Sequence, residues 1–133
     1  MLEYTVKANR IDSHGSIVRC KEAELLADTD VNGRNDAFNP AELFLASIAA
    51  CILKGIERVT PLIKFELRGV EVRLAATRQD APPRIISVRY EIVVDTDEPE
   101  QRLELLHTNV RKYGTIFNTV VDAAGLSGVL RRS

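Results

Sequence analysis

The sequence is poor in the residues that build metal centres and disulfide frameworks. It has two cysteines, Cys20 and Cys51, and two histidines, His14 and His107, and it contains no CxxC or HExxH motif. A zinc site requires a cluster of such residues at characteristic spacings. We therefore expect no metal and no cofactor. We expect both cysteines to be free thiols, as is usual in a reducing compartment, and both histidines to be solvated side chains.

Net charge and long apolar runs are also scarce. The formal charge of −1 and the pI of about 6.1 provide no field that would attract nucleic acid or an anionic membrane. The longest apolar run stops at Lys54, short of the roughly 18 residues that a membrane span needs. The first residues lack an apolar signal core. The sequence thus predicts a cytoplasmic protein without a nucleic-acid or membrane partner.

The apolar run belongs to a predicted helix over Asn39–Arg58. Asn39 can serve as the N-cap, Pro40 suits the first helical position, and Glu42 completes a capping box. The next three turns are apolar nearly all round, which is typical of a buried helix. A small domain has little sheet with which to cover every side of such a helix. We therefore expect a homodimer.

The remaining pattern predicts strands in blocks before and after this helix, and hence an α+β fold in a single domain over residues 1–133. Alternation of apolar and polar residues marks the strands, and caps mark two further helices. The predicted elements are strands over Leu2–Arg10, Ser16–Cys20 and Ala23–Asp28, the long helix ending near Pro61, strands over Gly69–Arg78 and Arg84–Asp95, a helix capped by Asp97, a short helix capped by Thr115, and a closing strand or basic tail over Gly125–Ser133.

The loop before the long helix resembles the start of a calcium-binding loop. Asp28, Asp30, Asn32 and Gly33 follow the D-x-D-x-N-G pattern. The twelfth position, however, is Asn39 where a calcium loop has a bidentate glutamate. The loop is therefore predicted to be a polar turn.

One face of the long helix carries the candidate reactive group. Ser47, Cys51, Lys54 and Arg58 follow one another at steps of four, three and four, so they share a face. A cationic neighbour such as Lys54 favours the thiolate, which is the reactive form of cysteine. The alternative is that Cys51 is a small apolar core residue, and spacing alone favours this second interpretation.

The segment NPAELFLASIAAC resembles the NPxEL…AAC signature of the OsmC/Ohr family. The matching residues are Asn39, Pro40, Glu42, Leu43 and Cys51. The resemblance continues through the hairpin and a second helix that ends in Lys112–Tyr113. It implies an intertwined dimer whose antiparallel strands wrap around two central helices, with active sites near the subunit interface.

The resemblance also implies a chemistry. In members that act as thiol peroxidases, the cysteine matching Cys51 attacks an organic hydroperoxide and becomes a sulfenic acid. A second cysteine then closes a disulfide that an external dithiol reduces. This sequence has Gly114, next to Thr115, at the second cysteine's position, and Ala41 where those members carry glutamate.

Three functions remain open at this point. The first is a thiol peroxidase of the oxidative stress response, in which an external thiol or Cys20 resolves the Cys51 sulfenate. The second is a small-molecule-binding module whose pocket, near Gly114 and Thr115, Cys51 merely lines. The third is a structural dimer without a ligand. The family arginine that contacts the thiolate corresponds to either Arg10 or Arg19, and the sequence does not choose between them.

Overall fold

The computed structural model describes all 133 residues, which form two compact units, Met1–Phe44 and Leu45–Ser133. Along the chain, one block of strands precedes a long helix and further strands follow it, which confirms the α+β prediction. The elements are β1 (Lys7–Asp12), β2 (Gly15–Cys20), β3 (Ala23–Ala27), α1 (Pro40–Leu62), β4 (Gly69–Gln79), β5 (Arg84–Asp95), α2 (Glu100–Tyr113), α3 (Thr115–Ala124) and β6 (Leu126–Arg132).

The first unit is an antiparallel meander in the order β1-β2-β3. Its registers include Lys7↔Arg19 and Ser16↔Ala27. The predicted first strand is placed too early, because β1 begins at Lys7 and the chain from Leu2 to Val6 is not in a strand. The second and third strands agree with the prediction to within one residue.

The loop after β3 is a polar turn, as its missing twelfth ligand predicts. The Asp28 carboxylate is buried and accepts hydrogen bonds from the backbone N–H groups of Asp30, at 3.0 Å, and Arg34, at 3.1 Å. Asp30 accepts one from Asn32 N–H at 2.9 Å and pairs with the exposed ring of His14 at 2.7 Å. These carboxylates therefore satisfy backbone donors, and no group of acidic, histidine or cysteine side chains in the chain is arranged to hold a metal ion.

The capping box at the start of α1 is confirmed. The Asn39 side chain accepts a hydrogen bond from Glu42 N–H at 2.8 Å, and the Glu42 carboxylate accepts one from Asn39 N–H at 2.9 Å. Two of the donors that a helix start leaves unpaired are thereby satisfied. Glu42 is accounted for by this structural role.

The end of α1 lies slightly beyond the predicted one. The helix includes Pro61 and ends at Leu62, whereas the prediction places the break near Thr60. Proline in the last turn removes only one backbone hydrogen bond. The last turn closes through backbone hydrogen bonds from Ile63 N–H to the Val59 carbonyl oxygen at 3.1 Å and from Phe65 N–H to that of Thr60 at 2.9 Å. Arg102 donates to the carbonyl oxygens of Ile63 and Lys64 just beyond.

The second unit contains the sheet β4-β5-β6. β4 and β5 form the predicted antiparallel hairpin, with Val72 opposite Ile92. β6 is a strand rather than a basic tail, and it pairs in parallel with β5 because α2 and α3 form the crossover between them. One sheet face is polar and carries ion pairs among Arg73, Glu91 and Arg131. The core comprises Ile48, Ile52, Ile56, Val59, Val88, Tyr90, Ile92, Val94, Leu103, Leu106, Val110, Phe117 and Val120.

The two predicted helix caps after the hairpin are wrong. Pro99 precedes α2 without a side-chain cap, and Asp97 instead pairs with Arg68 at 2.9 Å. Gly114 precedes α3, and Thr115 is its first residue. The sequence favours capping because Asp and Thr have that preference, but at both places the chain uses a residue without a side-chain acceptor.

Within the single chain, α1 buries one side only. Ile48, Ile52 and Ile56 are fully buried, while Ala50 and Leu53 are exposed. The apolar run predicts a helix that is buried on all sides, whereas the single chain buries only the side that carries these isoleucines. None of the helices has the combination of length and apolar character that a membrane span requires.

Candidate functional site

Cys51 lies at the edge of the buried side of α1 and is a partly exposed, free thiol. It is one turn after Ile48 and one turn before Gly55, and both of those residues are buried. The partial exposure of Cys51 puts its side chain within reach of solvent, while the choice between a reactive thiol and a small apolar core residue remains a prediction.

Two glycines bring α1 close to the chain around the end of α2. A Cβ atom on Gly55 would lie 3.4 Å from Val110 Cγ1, and one on Gly114 would lie 3.1 Å from Cys51 Sγ. Cys51 lies opposite Gly114, and Gly55, four residues later on α1, lies opposite Val110, four residues before Gly114. The two segments therefore run antiparallel, and their two close contacts are one helical turn apart.

The position of residue 114 relative to Cys51 is that of a disulfide partner. In a disulfide, the S–S bond of about 2.04 Å places the Cβ of one cysteine about 3 Å from the sulfur of the other. The 3.1 Å from an ideal Gly114 Cβ to Cys51 Sγ matches this distance. The structure therefore brings Cys51 and Gly114 together, with residue 114 at a disulfide-like distance from the Cys51 sulfur.

Hydrogen bonds fix the junction between α2 and α3, where Gly114 lies. Asn118 N–H donates to the carbonyl oxygen of Gly114 at 2.8 Å, and the Asn118 side-chain amide donates to that of Lys112 at 3.2 Å. Thr115 is exposed, and its carbonyl oxygen accepts a hydrogen bond from the Thr119 hydroxyl at 2.8 Å. Asn118 therefore holds the backbone of the junction through both its N–H group and its side chain.

An aromatic group that the sequence does not reveal supports this junction from inside. Phe117 is buried, and its Cβ would lie 3.0 Å from a Cβ on Gly114. The Tyr90 ring meets Phe117 edge-on at 5.8 Å between centroids, and its hydroxyl hydrogen-bonds to His107 Nε2 at 2.7 Å. Phe117, which lies beside Gly114, therefore packs against Tyr90 of β5, and Tyr90 in turn hydrogen-bonds to His107 of α2.

His107 differs from its prediction as a solvated side chain, because it is half-buried against Tyr90. Burial lowers the pKa of His107, and the positive charge of Arg111 lowers it further. Burial likewise raises the pKa of the Tyr90 hydroxyl. Both groups are therefore held in their neutral forms at neutral pH.

The other predicted site residues on α1 are exposed. Ser47 and Lys54 lie one turn before and one turn after Cys51, and Arg58 lies two turns after it. Neither Lys54 nor Arg58 makes a salt bridge. The side of α1 around Cys51 thus presents positive charge to solvent.

The remaining candidates belong to the first unit. Arg10 is exposed on β1, and Arg19 on β2 pairs with Glu24 at 3.0 Å. Cys20 is a partly exposed free thiol at the end of β2. The choice between the two arginines and the role of Cys20 remain predictions.

A signal for the pairing of Gly114 with Cys51 is present in the sequence. The inner face of α2 runs Leu103, Leu106, Val110 in steps of three and four, and one further step of four reaches Gly114. Extending that row past the helix end places Gly114 on the packed side. The Tyr90–His107 hydrogen bond has no such signal, because it joins β5 to α2 across the core.

The fold and the signature around Cys51 define the class of this protein. The family model for OsmC-like protein matches residues 33–125, a range that includes the capping box, Cys51 and Gly114. The chain belongs to the OsmC/Ohr family. No curated protein matches the sequence.

Solved structures of this family have the same fold. The OsmC-like protein of Mycoplasma pneumoniae is 14% identical, with 99% of this chain and 96% of that chain covered at a TM-score of 0.85. An organic hydroperoxide resistance protein of Legionella pneumophila is 19% identical, with 100% and 98% covered and a TM-score of 0.68. The organic hydroperoxide resistance protein OhrB of Bacillus subtilis is 14% identical, with 99% of this chain and 98% of that chain covered at a TM-score of 0.69. At these identities the likeness shows a shared fold.

Proposed function

We propose that this protein is a cysteine-dependent hydroperoxide reductase in which Cys51 is the attacking residue. The observation that carries the proposal is the 3.1 Å between Cys51 Sγ and an ideal Cβ on Gly114, because this is the Cβ-to-sulfur distance of a disulfide and Gly114 aligns with the family's second cysteine. Partial exposure of the Cys51 thiol and the family's hydroperoxide resistance proteins also support it.

The reaction balances with one thiolate and one hydroperoxide. The Cys51 thiolate attacks the terminal oxygen of ROOH, the O–O bond breaks, and the alkoxide leaves as ROH after taking a proton. The sulfur, now oxidised, carries the transferred oxygen as a sulfenic acid. Lys54, one turn away on α1, is the nearest cation on that helix by spacing.

The experiment is sulfenate trapping in the Cys20→Ser protein, in which Cys51 is the only thiol. One equivalent of tert-butyl hydroperoxide should produce one trapped sulfenate per chain, located at Cys51 by mass spectrometry. The Cys20→Ser/Cys51→Ser protein is the matched control and should trap none. Cys51 that remains reduced under an excess of hydroperoxide would refute the proposal.

A second candidate function is a non-catalytic binding module. The observation that favours it is the combination of Gly114 with Ala41, because the chain lacks two groups that the family's thiol peroxidases carry. In that case a small apolar molecule should raise the melting temperature while both thiols stay reduced.

We also propose that the functional protein is a homodimer. Exposed apolar residues support this, among them Leu2 at 82%, Tyr4 at 79% and Val6 at 71% exposure, together with Leu53 on α1. Exposed apolar side chains in such numbers are typical of protein–protein interfaces. Light scattering after size-exclusion chromatography should give twice the chain mass, and a monomer at micromolar concentration would contradict the proposal.

A further inference from the structure

We infer that Tyr90 is a positioning residue for the site at Cys51. Its side chain connects the two helices that meet at Gly114, and it thereby determines how closely Gly114 covers the Cys51 sulfur. The inference rests on the proposed function and deepens it, because the cover over the sulfur limits the side from which a hydroperoxide can reach Cys51. It is carried by a continuous set of contacts within the second unit.

A single residue makes the contact at the sulfur. Gly114 is the only residue between α2 and α3, its backbone is extended at φ −78° and ψ 121°, and it is buried. An ideal Cβ on Gly114 would lie 3.1 Å from Cys51 Sγ and 3.0 Å from Phe117 Cβ. Residue 114 is therefore enclosed between the sulfur on α1 and the first turn of α3. A shift of α2 or α3 at this junction changes the cover over the sulfur.

The ring of Tyr90 holds α3. Phe117 is buried at 4% exposure, and its ring meets that of Tyr90 edge-on, with 5.8 Å between centroids and 76° between planes. This arrangement is favoured because the positive edge of one ring meets the negative face of the other. The residue whose Cβ lies behind Gly114 is thus held by the central strand of the sheet.

The hydroxyl of Tyr90 holds α2. It hydrogen-bonds to His107 Nε2 at 2.7 Å. His107 lies seven residues before Gly114, about 10 Å along the helix, and the row His107, Val110, Gly114 follows one face in steps of three and four. The bond is partly buried, so removing the hydroxyl leaves a ring nitrogen that water replaces only in part. One side chain therefore contacts both helices that Gly114 joins.

Tyr90 is itself confined by the sheet. On β5 it pairs with Leu74 of β4 and with Gly128 of β6. A Cβ on Gly128 would overlap both the ring and the carbonyl oxygen of Tyr90, so the ring can lie across β6 only because residue 128 is glycine. The ring is thus enclosed by Gly128, His107 and Phe117, and it has little freedom to move independently of the sheet.

The position of residue 114 relative to Cys51 can be measured through a disulfide. In the Cys20→Ser/Gly114→Cys protein, the equilibrium of the new disulfide with dithiothreitol reports how well the two positions are aligned. Adding Tyr90→Phe keeps the ring and removes the hydroxyl that holds α2. We expect the equilibrium constant for disulfide formation to fall about three- to tenfold, which raises the reduction potential by roughly 15–30 mV.

Thr96→Val is the matched control. It also removes one buried, hydrogen-bonded hydroxyl, which donates to the Glu66 carbonyl oxygen, but it lies six residues after Tyr90, about 20 Å along an extended chain. It should leave the equilibrium constant within about twofold, because distant sites rarely couple. Phe117→Leu, which removes the ring on α3, should reproduce the effect of Tyr90→Phe. Equal potentials in all four proteins, or no disulfide in the parent protein, would overturn the inference.

The consequence for the native site is measured with Gly114 in place. In the Cys20→Ser protein, Tyr90→Phe should raise the rate of exchange of Cys51 with the neutral disulfide dithiodipyridine about three- to tenfold above that of Thr96→Val, because a looser junction uncovers more of the sulfur. The rate with cumene hydroperoxide should rise more than that with hydrogen peroxide, since the bulkier oxidant gains more from the opening.

The two proposals fail in different ways. If neither peroxide oxidises Cys51, the proposed function fails, while the disulfide potential and the exchange rate still test the role of Tyr90. If Cys51 is oxidised and Tyr90→Phe changes neither the potential nor the exchange rate relative to Thr96→Val, the inference alone is overturned.

Discussion

Gly114 faces Cys51 so closely that an ideal Cβ on Gly114 would lie 3.1 Å from Cys51 Sγ. The two residues are far apart in sequence and belong to different helical segments, and Gly55 and Val110 repeat the close approach one turn further along. Two glycines thus bring α1 and the end of α2 together around a single sulfur, that of Cys51. The α2–α3 junction, fixed by Asn118, keeps that geometry.

Gly114→Cys should restore an intramolecular disulfide with Cys51. The new Cβ lies at a disulfide-like distance from Cys51 Sγ, so mild oxidation should remove both thiols and two hydrogens from the mass of the Cys20→Ser/Gly114→Cys protein. Gly114→Ser, which has the same Cβ but no sulfur, is the matched control and should keep Cys51 titratable. Two free thiols in the cysteine variant after oxidation would show that the geometry is incorrect.

Gly55 should accept alanine but not a larger side chain. A Cβ at 3.4 Å from Val110 Cγ1 is a tight but ordinary contact, and alanine favours the helix by about 1 kcal/mol, so Gly55→Ala should leave stability within about 1 kcal/mol of the wild type. Gly55→Leu should cost about 1–3 kcal/mol because α1 and α2 have no room for it. Urea unfolding measures both. A leucine variant as stable as the alanine variant would contradict this packing.

How far the sequence predicts this structure is seen at the two ends of α1. The capping box at Asn39 and Glu42 is a local pattern of side chain and backbone, and it is predicted correctly. The end at Leu62 is predicted two residues early, because backbone hydrogen bonds such as that from Phe65 N–H to the Thr60 carbonyl oxygen still close the turn that contains Pro61. Side-chain signals thus determine the start, whereas the end depends on backbone hydrogen bonds that residue types do not reveal.

The site divides in the same way. Cys51 and Gly114 are found from the resemblance to the OsmC/Ohr family, Cys51 within its signature and Gly114 at the position aligned with the second cysteine after the second helix. The Tyr90–His107 hydrogen bond and the edge-on packing of Phe117 are missed because they join β5, α2 and α3 across the core. The parallel pairing of β6 with β5 is missed for the same reason, since the order of elements alone leaves the last segment as a strand or a tail.

The hydrogen bond between Tyr90 and His107 should contribute measurably to stability. In a double-mutant cycle with Tyr90→Phe and His107→Phe, we expect a coupling free energy of about 0.5–1.5 kcal/mol, because the bond is partly shielded from water. Glu104→Gln, at an exposed residue of α2, is the control and should change the free energy of unfolding by less than about 0.5 kcal/mol. Additive single-mutant effects would rule out the interaction.

The lowered pKa of His107 predicts a specific loss of stability in acid. Burial and Arg111 disfavour the charged ring in the folded protein, so the unfolded chain takes up this proton at a higher pH. Stability is therefore lost as the pH falls below the unfolded value of about 6.5, and the loss is complete below the folded pKa. His107→Gln should remove this part of the pH dependence in urea unfolding between pH 8 and 5. A constant difference between wild type and variant over that range would contradict the assignment.

The capping box should stabilise the start of α1. Asn39→Ala removes an acceptor for Glu42 N–H and should cost about 0.5–2 kcal/mol. Glu57→Ala, which removes an exposed carboxylate without a salt bridge from the same helix, is the control and should cost less than about 0.5 kcal/mol. Thermal and urea unfolding measure the difference. Equal effects of the two substitutions would argue against a role of the cap in stability.

The most direct test of the central claim is the second-order rate constant for oxidation of Cys51 by cumene hydroperoxide, compared with that of free cysteine under identical conditions. The measurement uses the Cys20→Ser protein, so that every oxidised thiol is Cys51. We predict a rate at least about a hundredfold above free cysteine, equivalent to about 2.7 kcal/mol of transition-state stabilisation by the site. A rate equal to that of free cysteine would mean that the fold holds Cys51 without activating it, and the account of this protein as a hydroperoxide reductase would be wrong.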